Sequence, residues 1–589
     1  MKDFFKFTLA SIVGVILAGI IFTVLGTITL ASIAVSSETE TTVKDNSVFV
    51  LNLRGTLNER SEENPFSQFM GDTYETLGLD DILNSIKKAK NDEKIKGIFI
   101  KGNSMISSFA SLEEIRNALV DFKESGKFIV SYADQYSQAT YYLSSIADKI
   151  ILNPQGSIDW KGLSAEITFF KDVLEKLDVE MQVFKVGTYK SAVEPFIGTE
   201  MSPANRQQTN VFLHSIWEKI LNDVSASRNI SSDSLNLLAD HITSLKQANE
   251  LVRCGLADTL LYEDETLSYL KQLTDCEEDD DLAAHSLKEM VNVKKRVPKD
   301  KSGNIIAVYY AFGEISHPGM AQPGTQGIDP EKVTKDLRKL RKDESVKAVV
   351  FRVNSPGGSA YGSEQIWHEV VKLKEQKPVI VSMGDYAASG GYYISCAADY
   401  IVADPTTLTG SIGIFGMIPN VSKLLKDKIG LHFDGVKTNQ ASDMFSMSRP
   451  FNEAETAAMQ KYINEGYELF VTRCANGRKM TTDAIKKIAE GRVWTGSTAK
   501  ELGLVDELGG IDRAIKVAEE RAGIEAYSLI TYPEKESFIS SLMNTSTEDV
   551  IHSQLRKTMG SYYQHIEFIQ GLDKKDNVQA RIPFALNIN

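Results

Sequence analysis

The stretch Asp385–Pro405, DYAASGGYYISCAADYIVADP, aligns without gaps on Asp134–Pro154, DQYSQATYYLSSIADKIILNP, at an offset of 251 residues. Eight of the 21 aligned positions are identical, against about one expected from average composition. The same offset pairs Ile95–Ser104 (IKGIFIKGNS) with Val346–Ser355 (VKAVVFRVNS), and Cys254–Asp258 (CGLAD) matches Leu502–Asp506 (LGLVD) after a shift of a few residues. Self-similarity at a fixed long period means that one structural plan has been used twice. The chain is a tandem duplication.

Within each copy, short apolar runs alternate with helical stretches. Ala348–Val353 (AVVFRV) reads as a strand, Gly362–Lys374 as a helix, and Val379–Ser382 as a strand again. Continuous apolar runs separated by helices are the pattern of buried, parallel strands in βαβ units. The expected fold class is therefore α/β, with two tandem layered domains. We place the first at 47–275 and the second at 304–532, joined by a charged connection at 276–303. That connection carries the acidic run Glu277–Asp281 and then Lys294, Lys295, Arg296, Lys299 and Lys301, and such charge blocks read as solvated. In the tail, 533–589, Leu555, Met559, Tyr562, Tyr563, Ile566 and Ile569 fall near helical spacing and predict an amphipathic helix.

Residues 1–46 are of a different kind. Between Lys6 and Glu38 lie 31 residues without a charge, whereas about 20 apolar residues already span a bilayer as a helix. A cleavable signal, with Ser32-Ile33-Ala34 as its weak processing site, is one reading. Its apolar core would be only about 7 to 15 residues long, so a retained single-pass anchor fits the length better. Lys2 and Lys6 precede the span and Glu38 and Glu40 follow it, which puts the N-terminus in the cytoplasm and both repeats outside. Elsewhere the composition is ordinary: 42% hydrophobic and 24% charged over 589 residues, which excludes a mostly disordered, collagenous or multi-span chain. A net charge of −14 argues against a nucleic-acid partner, which needs clustered Lys and Arg. The four cysteines are far apart with no CxxC spacing, so neither a structural zinc site nor another metal is expected, and free thiols are favoured over bridges.

Two glycine turns in the second copy carry candidate chemistry. Asn354–Ser359 (NSPGGS) follows a strand directly, and paired glycines there free backbone N–H groups to line an oxyanion hole. About thirty residues on, Ser389 sits in Ala387-Ala388-Ser389-Gly390-Gly391 between a strand expected to end near Ser382 and a helix expected over Tyr392–Ala398. Small neighbours leave its hydroxyl uncrowded beside a helix N-terminus; an isolated PGG turn or a helix-capping serine would be the plainer interpretation of each. A nucleophilic serine needs a base. None of the eight histidines (His214, His241, His285, His317, His368, His432, His552, His565) lies near either turn in sequence, although triads assemble in space. The other option is a lysine whose pKa is lowered by burial. Lys190, in Phe184–Phe196 (FKVGTYKSAVEPF) after an expected strand Glu180–Val186, is the candidate. At the offset of 251, Ser389 pairs with Gln138, Gly357 and Gly358 pair with Ile106 and Ser107, and Lys190 pairs with Ala441. Each copy has what the other lacks, so the two together predict one composite site.

VNSPGGS, GDYAASGGYY, LTGSIGIFG (Leu408–Gly416), GRVWTG (Gly491–Gly496) and GLVDELGG (Gly503–Gly510), in this order in the second half, together with GTYKSAVEPF in the first half, resemble the signal peptide peptidase A, or protease IV, family in its long tandem form. The resemblance covers nearly the whole chain. It implies a Ser/Lys serine endopeptidase with two crotonase/Clp-protease-like domains behind a single transmembrane helix. It makes Ser389 the nucleophile and Lys190 the general base, with the N–H groups of Gly358 and Gly390 as oxyanion hole and Ser411 as the hydroxyl that orients the lysine. It further implies no cofactor, a homo-oligomer with a tetramer among the assemblies allowed, and degradation of cleaved signal peptides at the outer face of the cytoplasmic membrane. A crotonase-like acyl-CoA enzyme and an inactive membrane scaffold are the alternatives. The first sits poorly with an external location, and the second with intact Ser389 and Lys190.

Overall fold

The structure, a computed structural model, describes residues 14, 19, 40–61, 76–294, 302–320, 327–534 and 578–582. Apart from Gly14 and Gly19, the expected membrane span lies outside these residues, as does the expected amphipathic tail helix. Among the described residues no helix is long and apolar enough to cross a membrane.

Each repeat is built on its own parallel sheet. In the first, the central strands run in the order Ser47–Asn58, Ile95–Ile106, Phe128–Tyr136 and Lys149–Ile158; in the second, the order is Ile305–Phe312, Val346–Ser355, Val379–Ala388, which then continues into Tyr400–Ala403 and Leu408–Gly410. The apolar runs predicted from sequence are buried on both faces: Val349, Val350 and Phe351 are fully buried, as are Ile98 and Ile100. Helices Phe109–Lys123 and Ala360–Lys374 occupy matching places in the two copies.

The duplication also survives in side-chain contacts that no local pattern announces. Asp148 accepts a hydrogen bond from Ile129 N at 2.8 Å, and Asp399 accepts one from Val379 N at 2.9 Å. Arg228 pairs with Asp258 at 2.6 Å and Arg478 with Asp506 at 2.7 Å. The Tyr141 hydroxyl donates to Leu256 O and the Tyr392 hydroxyl to Leu504 O, both at 3.0 Å. Buried polar groups must be matched in a core, and both copies match them in the same way.

A third sheet belongs to neither copy alone. Glu180–Lys185 of the first repeat pairs antiparallel with Phe415–Asn420 of the second, and the sheet continues through Val578–Arg581, Gly357–Ser359, Glu314–Ile315 and Gly327–Ile328. This seam is what brings the two halves of the predicted site together.

Three local readings differ from the structure. The strand expected to end near Ser382 runs on to Ala388, past a register irregularity against Val353 and Ser355. The helix after Ser389 covers Gly390–Ser395, so both glycines lie inside its first turn. Part of the connection expected to be solvated packs instead: Ala284–Ser286 adds to the first sheet beside Val48–Val50, and Met290 is fully buried. Its apolar residues Ala284, Leu287 and Met290 fall between the acidic and basic blocks, and the charge runs masked them. All four cysteines are free, and Cys396 and Cys474 are buried.

Candidate active site at the seam

Ser389 occupies a turn with φ +56° and ψ −112°. A non-glycine residue in this region is strained, and such strain persists only where the surroundings over-determine it. The Ser389 N–H donates to Gly410 O and its carbonyl accepts from Tyr393 N, each at 2.8 Å. The side chain makes no capping bond to its helix, which removes the plainer capping reading. Its Oγ instead faces the seam.

Lys190 reaches Ser389 from the other repeat. Its Nζ donates to Ser389 Oγ at 2.6 Å and lies 3.2 Å from Ser411 Oγ and 3.3 Å from Ser411 O. Ser411 Oγ in turn donates to Gly491 O at 3.1 Å. Lys190 is only 1% exposed and Ser389 is fully buried. Burial pushes the lysine pKa well below its ordinary value, with no carboxylate partner to restore it. An ammonium dehydrated without a counter-charge is disfavoured, so the neutral amine is the form this environment stabilises.

The loop that carries Lys190 is held from three sides. Tyr189 N donates to Glu490 O at 2.9 Å. Gln208, on helix Pro203–Arg228, donates to Tyr189 O at 3.2 Å and to Ser191 Oγ at 3.1 Å, while its carbonyl accepts from Val493 N at 3.2 Å. Gly491, at φ +79°, packs so closely that a Cβ there would lie 2.7 Å from Lys190 Cα. Neither Gln208 nor Gly491 stood out in sequence as a site residue. Gly491 opens the GRVWTG motif, whereas Gln208 lies in an unremarkable helix and could be found only from the structure.

The two glycine turns meet beside the serine. A Cβ on Gly390 would lie 3.2 Å from Gly357 Cα, and Gly358, at φ +152°, is so close to Ile315 O that any Cβ would collide with it. Ser389, Lys190, Ser411, Gly390 and Gly358 are thus gathered at one place. Among the described residues, neither Ser389 nor Lys190 has a histidine among its hydrogen-bond partners; His552 and His565 lie outside the described residues. Among the described residues, no group of three or more His, Cys, Asp or Glu is arranged to hold a metal ion.

Behind the site, a buried charged network crosses from one repeat to the other. Arg352 contacts Glu59 through Nε at 2.9 Å and Nη2 at 3.0 Å, and Glu114 through Nη2 at 2.6 Å. Asn354 donates to Glu59 at 2.8 Å and to Asp385 at 3.0 Å, and Ser111 donates to Asp385 through both its N–H and its hydroxyl. Burial opposes the Arg352 charge, but Glu114 and Glu59 outweigh it and hold the guanidinium pKa well above its usual value.

Comparison with known proteins gives the site a context. The model of peptidase family S49 matches residues 121–277 and 371–525, one segment in each repeat. "Protease 4" of Salmonella typhi is 40% identical over 488 residues, covering 81% of this chain and 78% of that protein. "Protease 4" of Haemophilus influenzae is 35% identical over 563 residues, covering 90% and 89%. The chloroplastic serine protease SPPA of Arabidopsis thaliana is 31% identical over 545 residues, covering 92% and 78%.

Proposed function

Because the chain belongs to peptidase family S49 and is a serine protease of that family, we propose that it cleaves peptide bonds with Ser389 as nucleophile and Lys190 as general base. The observation that carries this reading is the 2.6 Å contact between Lys190 Nζ and Ser389 Oγ in a buried, carboxylate-free setting. With the amine neutral, the same contact runs in reverse: the serine hydroxyl donates to the Nζ lone pair. Attack on a peptide carbonyl then passes the proton to Nζ, and the ammonium hands it to the departing amine. Water hydrolyses the resulting acyl-enzyme by the same route. Gly358 and Gly390 N–H groups stabilise the tetrahedral oxyanion, at about 3 kcal/mol per donor. Ser411 positions Nζ through its hydroxyl and its carbonyl.

In this reading the protein is a membrane-anchored endopeptidase held by the apolar segment within residues 1–46, with its crotonase/Clp-protease-like repeats at 47–275 and 304–532 on the outer face. Its substrates are cleaved signal peptides and other apolar peptides, and it works as a homo-oligomer. The relatives named "Protease 4" and the long uncharged N-terminal run support this assignment.

The pH dependence tests the base. Activity requires neutral Lys190, and burial lowers its pKa; kcat/KM for an apolar peptide ester is therefore expected to rise with pH and level off well below the ordinary lysine value of 10.5. The same rise should vanish from the residual rate of Lys190→Ala. A wild-type profile flat from acid to alkaline pH would rule out Lys190 as the base.

A further inference from the structure

Regular structure holds the base less firmly than it holds the nucleophile. Ser389 stands between a strand that ends at Ala388 and a helix that begins at Gly390. Lys190 and Ser191 belong to no helix or strand, and the Lys190 N–H donates to Gly187 O at a long 3.4 Å. A segment without a ladder of its own is fixed by whatever bonds to it from outside, so the aim of Nζ depends on groups elsewhere in the chain.

Gln208 is the buried side chain that bridges the base to the other repeat. Its amide nitrogen lies 3.2 Å from Tyr189 O and 3.1 Å from both Ser191 Oγ and Asn205 Oδ1, so two hydrogens are shared among three acceptors, two of which flank Lys190. Its oxygen accepts from Val493 N. Val493–Thr495 is an edge strand of the second repeat's sheet, and it pairs with Leu408–Gly410 so that Val493 stands opposite Gly410. Gly410 O in turn accepts the Ser389 N–H at 2.8 Å. A circuit results: from Ser389 to Gly410, across the strand pair to Val493, through the Gln208 amide to Tyr189 and Ser191, and from Lys190 Nζ back to Ser389 Oγ, 2.6 Å away. A side chain closes it only with an acceptor at one position and donors at the other, as a carboxamide has.

We infer that Gln208 is a positioning residue for the reaction, one that fixes the base against the nucleophile and keeps Nζ out of water. This rests on the Ser389 and Lys190 reading above. Gln208 bonds to neither reacting group; it acts through the residues on either side of Lys190. Without the amide, the Val493 N–H is buried and unmatched, and the loop is free to draw away from the seam. Nζ then leaves its line to Oγ, where a displacement of about 1 Å can cost about 10²-fold in rate. Water that reaches the amine favours the ammonium, so the lysine pKa climbs back towards its ordinary value. The charged residues on the segments packed about Lys190 are Lys185, Glu194, Arg206, Glu490 and Arg492. Glu194 is bonded to Ser202 and Asn205, Arg206 is exposed, and Arg492 lies over the Tyr189 and Trp494 rings. Among the described residues none of these pairs with Nζ, and hydration sets the direction.

Two variants of the full-length chain test this. Gln208→Met keeps the length and loses both ends of the amide, whereas Gln208→Glu keeps the shape and, once ionised, has no donor for the loop. Peptide-ester hydrolysis is measured across pH beside Lys190→Ala, with rates corrected for the folded fraction by circular dichroism. Both Gln208 variants are expected to lose about 10- to 100-fold in kcat with KM little changed, and the midpoint of the kcat/KM rise should move to higher pH. A side chain that merely supports the fold would lower the thermal midpoint and leave the kcat of folded molecules and the pH midpoint in place. That result in either variant would overturn the inference and leave the dyad standing; should Gln208→Met not fold, Gln208→Glu decides alone. Equal hydrolysis by wild type and Lys190→Ala would bring down the dyad, and the inference with it.

Discussion

Ser389→Ala and Lys190→Ala are each expected to lower kcat/KM for a peptide ester by about 10³- to 10⁶-fold, and the double variant by hardly more than either one. Nucleophile and base act as a unit, so removing one leaves the other nothing to do. What remains should be the contribution of backbone donors and substrate binding. The loss should be chemical and not structural. Lys190→Met, which fills similar space without a charge to dehydrate, is expected to be inactive and to unfold no earlier than wild type. The sign follows from the lowered pKa: the folded state holds its proton less tightly than the unfolded state, so Lys190 adds stability only as pH climbs through its lowered value towards 10.5. At lower pH its burial is a cost. Hydrolysis within tenfold of wild type in either alanine variant would remove the dyad from consideration.

Arg352→Ala is expected to destabilise the chain by about 3–5 kcal/mol, because it leaves Glu59 and Glu114 facing each other in the interior without their common cation. Both carboxylates are fully in contact with the guanidinium, and both side chains are 3% exposed. Glu59 and Glu114 belong to the first repeat and Arg352 to the second, so the damage falls on the relation between repeats. Activity should therefore fall along with the urea midpoint, since Lys190 and Ser389 meet only when the repeats are held in register. A shift in free energy below about 1 kcal/mol would show that the seam is held by apolar packing and strand pairing instead. Ser382 also takes a hydrogen bond from Arg352 at 3.0 Å, and its loss alone should have a far smaller effect.

The α/β class and the duplication were legible because their signals are periodic. Buried parallel strands write continuous apolar runs, and a repeat writes them twice. Ser389 was suggested by its glycine turn between strand and helix and Lys190 by its place after an expected strand, and subtraction of one copy from the other sharpened that choice. What could not be read is what depends on meeting. Val578–Arg581 is four residues, VQAR, too short for any period to show, and it is a strand only because Gly357–Ser359 and Phe415–Gly416 flank it. Arg352 interrupts the apolar run AVVFRV, and nothing local says that its partners lie 293 and 238 positions upstream. Gln208 likewise acts through backbone groups brought to it by folding. The packing of Ala284 and Met290 was hidden for a related reason: charge blocks on either side dominate a reading by composition.

In the first repeat, Gln138 stands where the second has Ser389. It is fully buried, its amide nitrogen donates to Gly162 O, and its carbonyl accepts from Lys161 N and Gly162 N, each at 3.0 Å. A serine at this position would be too short to reach those three backbone groups, and each would be left costly and unmatched. The Gln138 side chain is thus part of the local framework of the first repeat. The difference between the copies works as a ratchet. Gln138→Ser would damage the fold of the first repeat before it supplied any chemistry, so a second centre cannot be gained there by that one exchange.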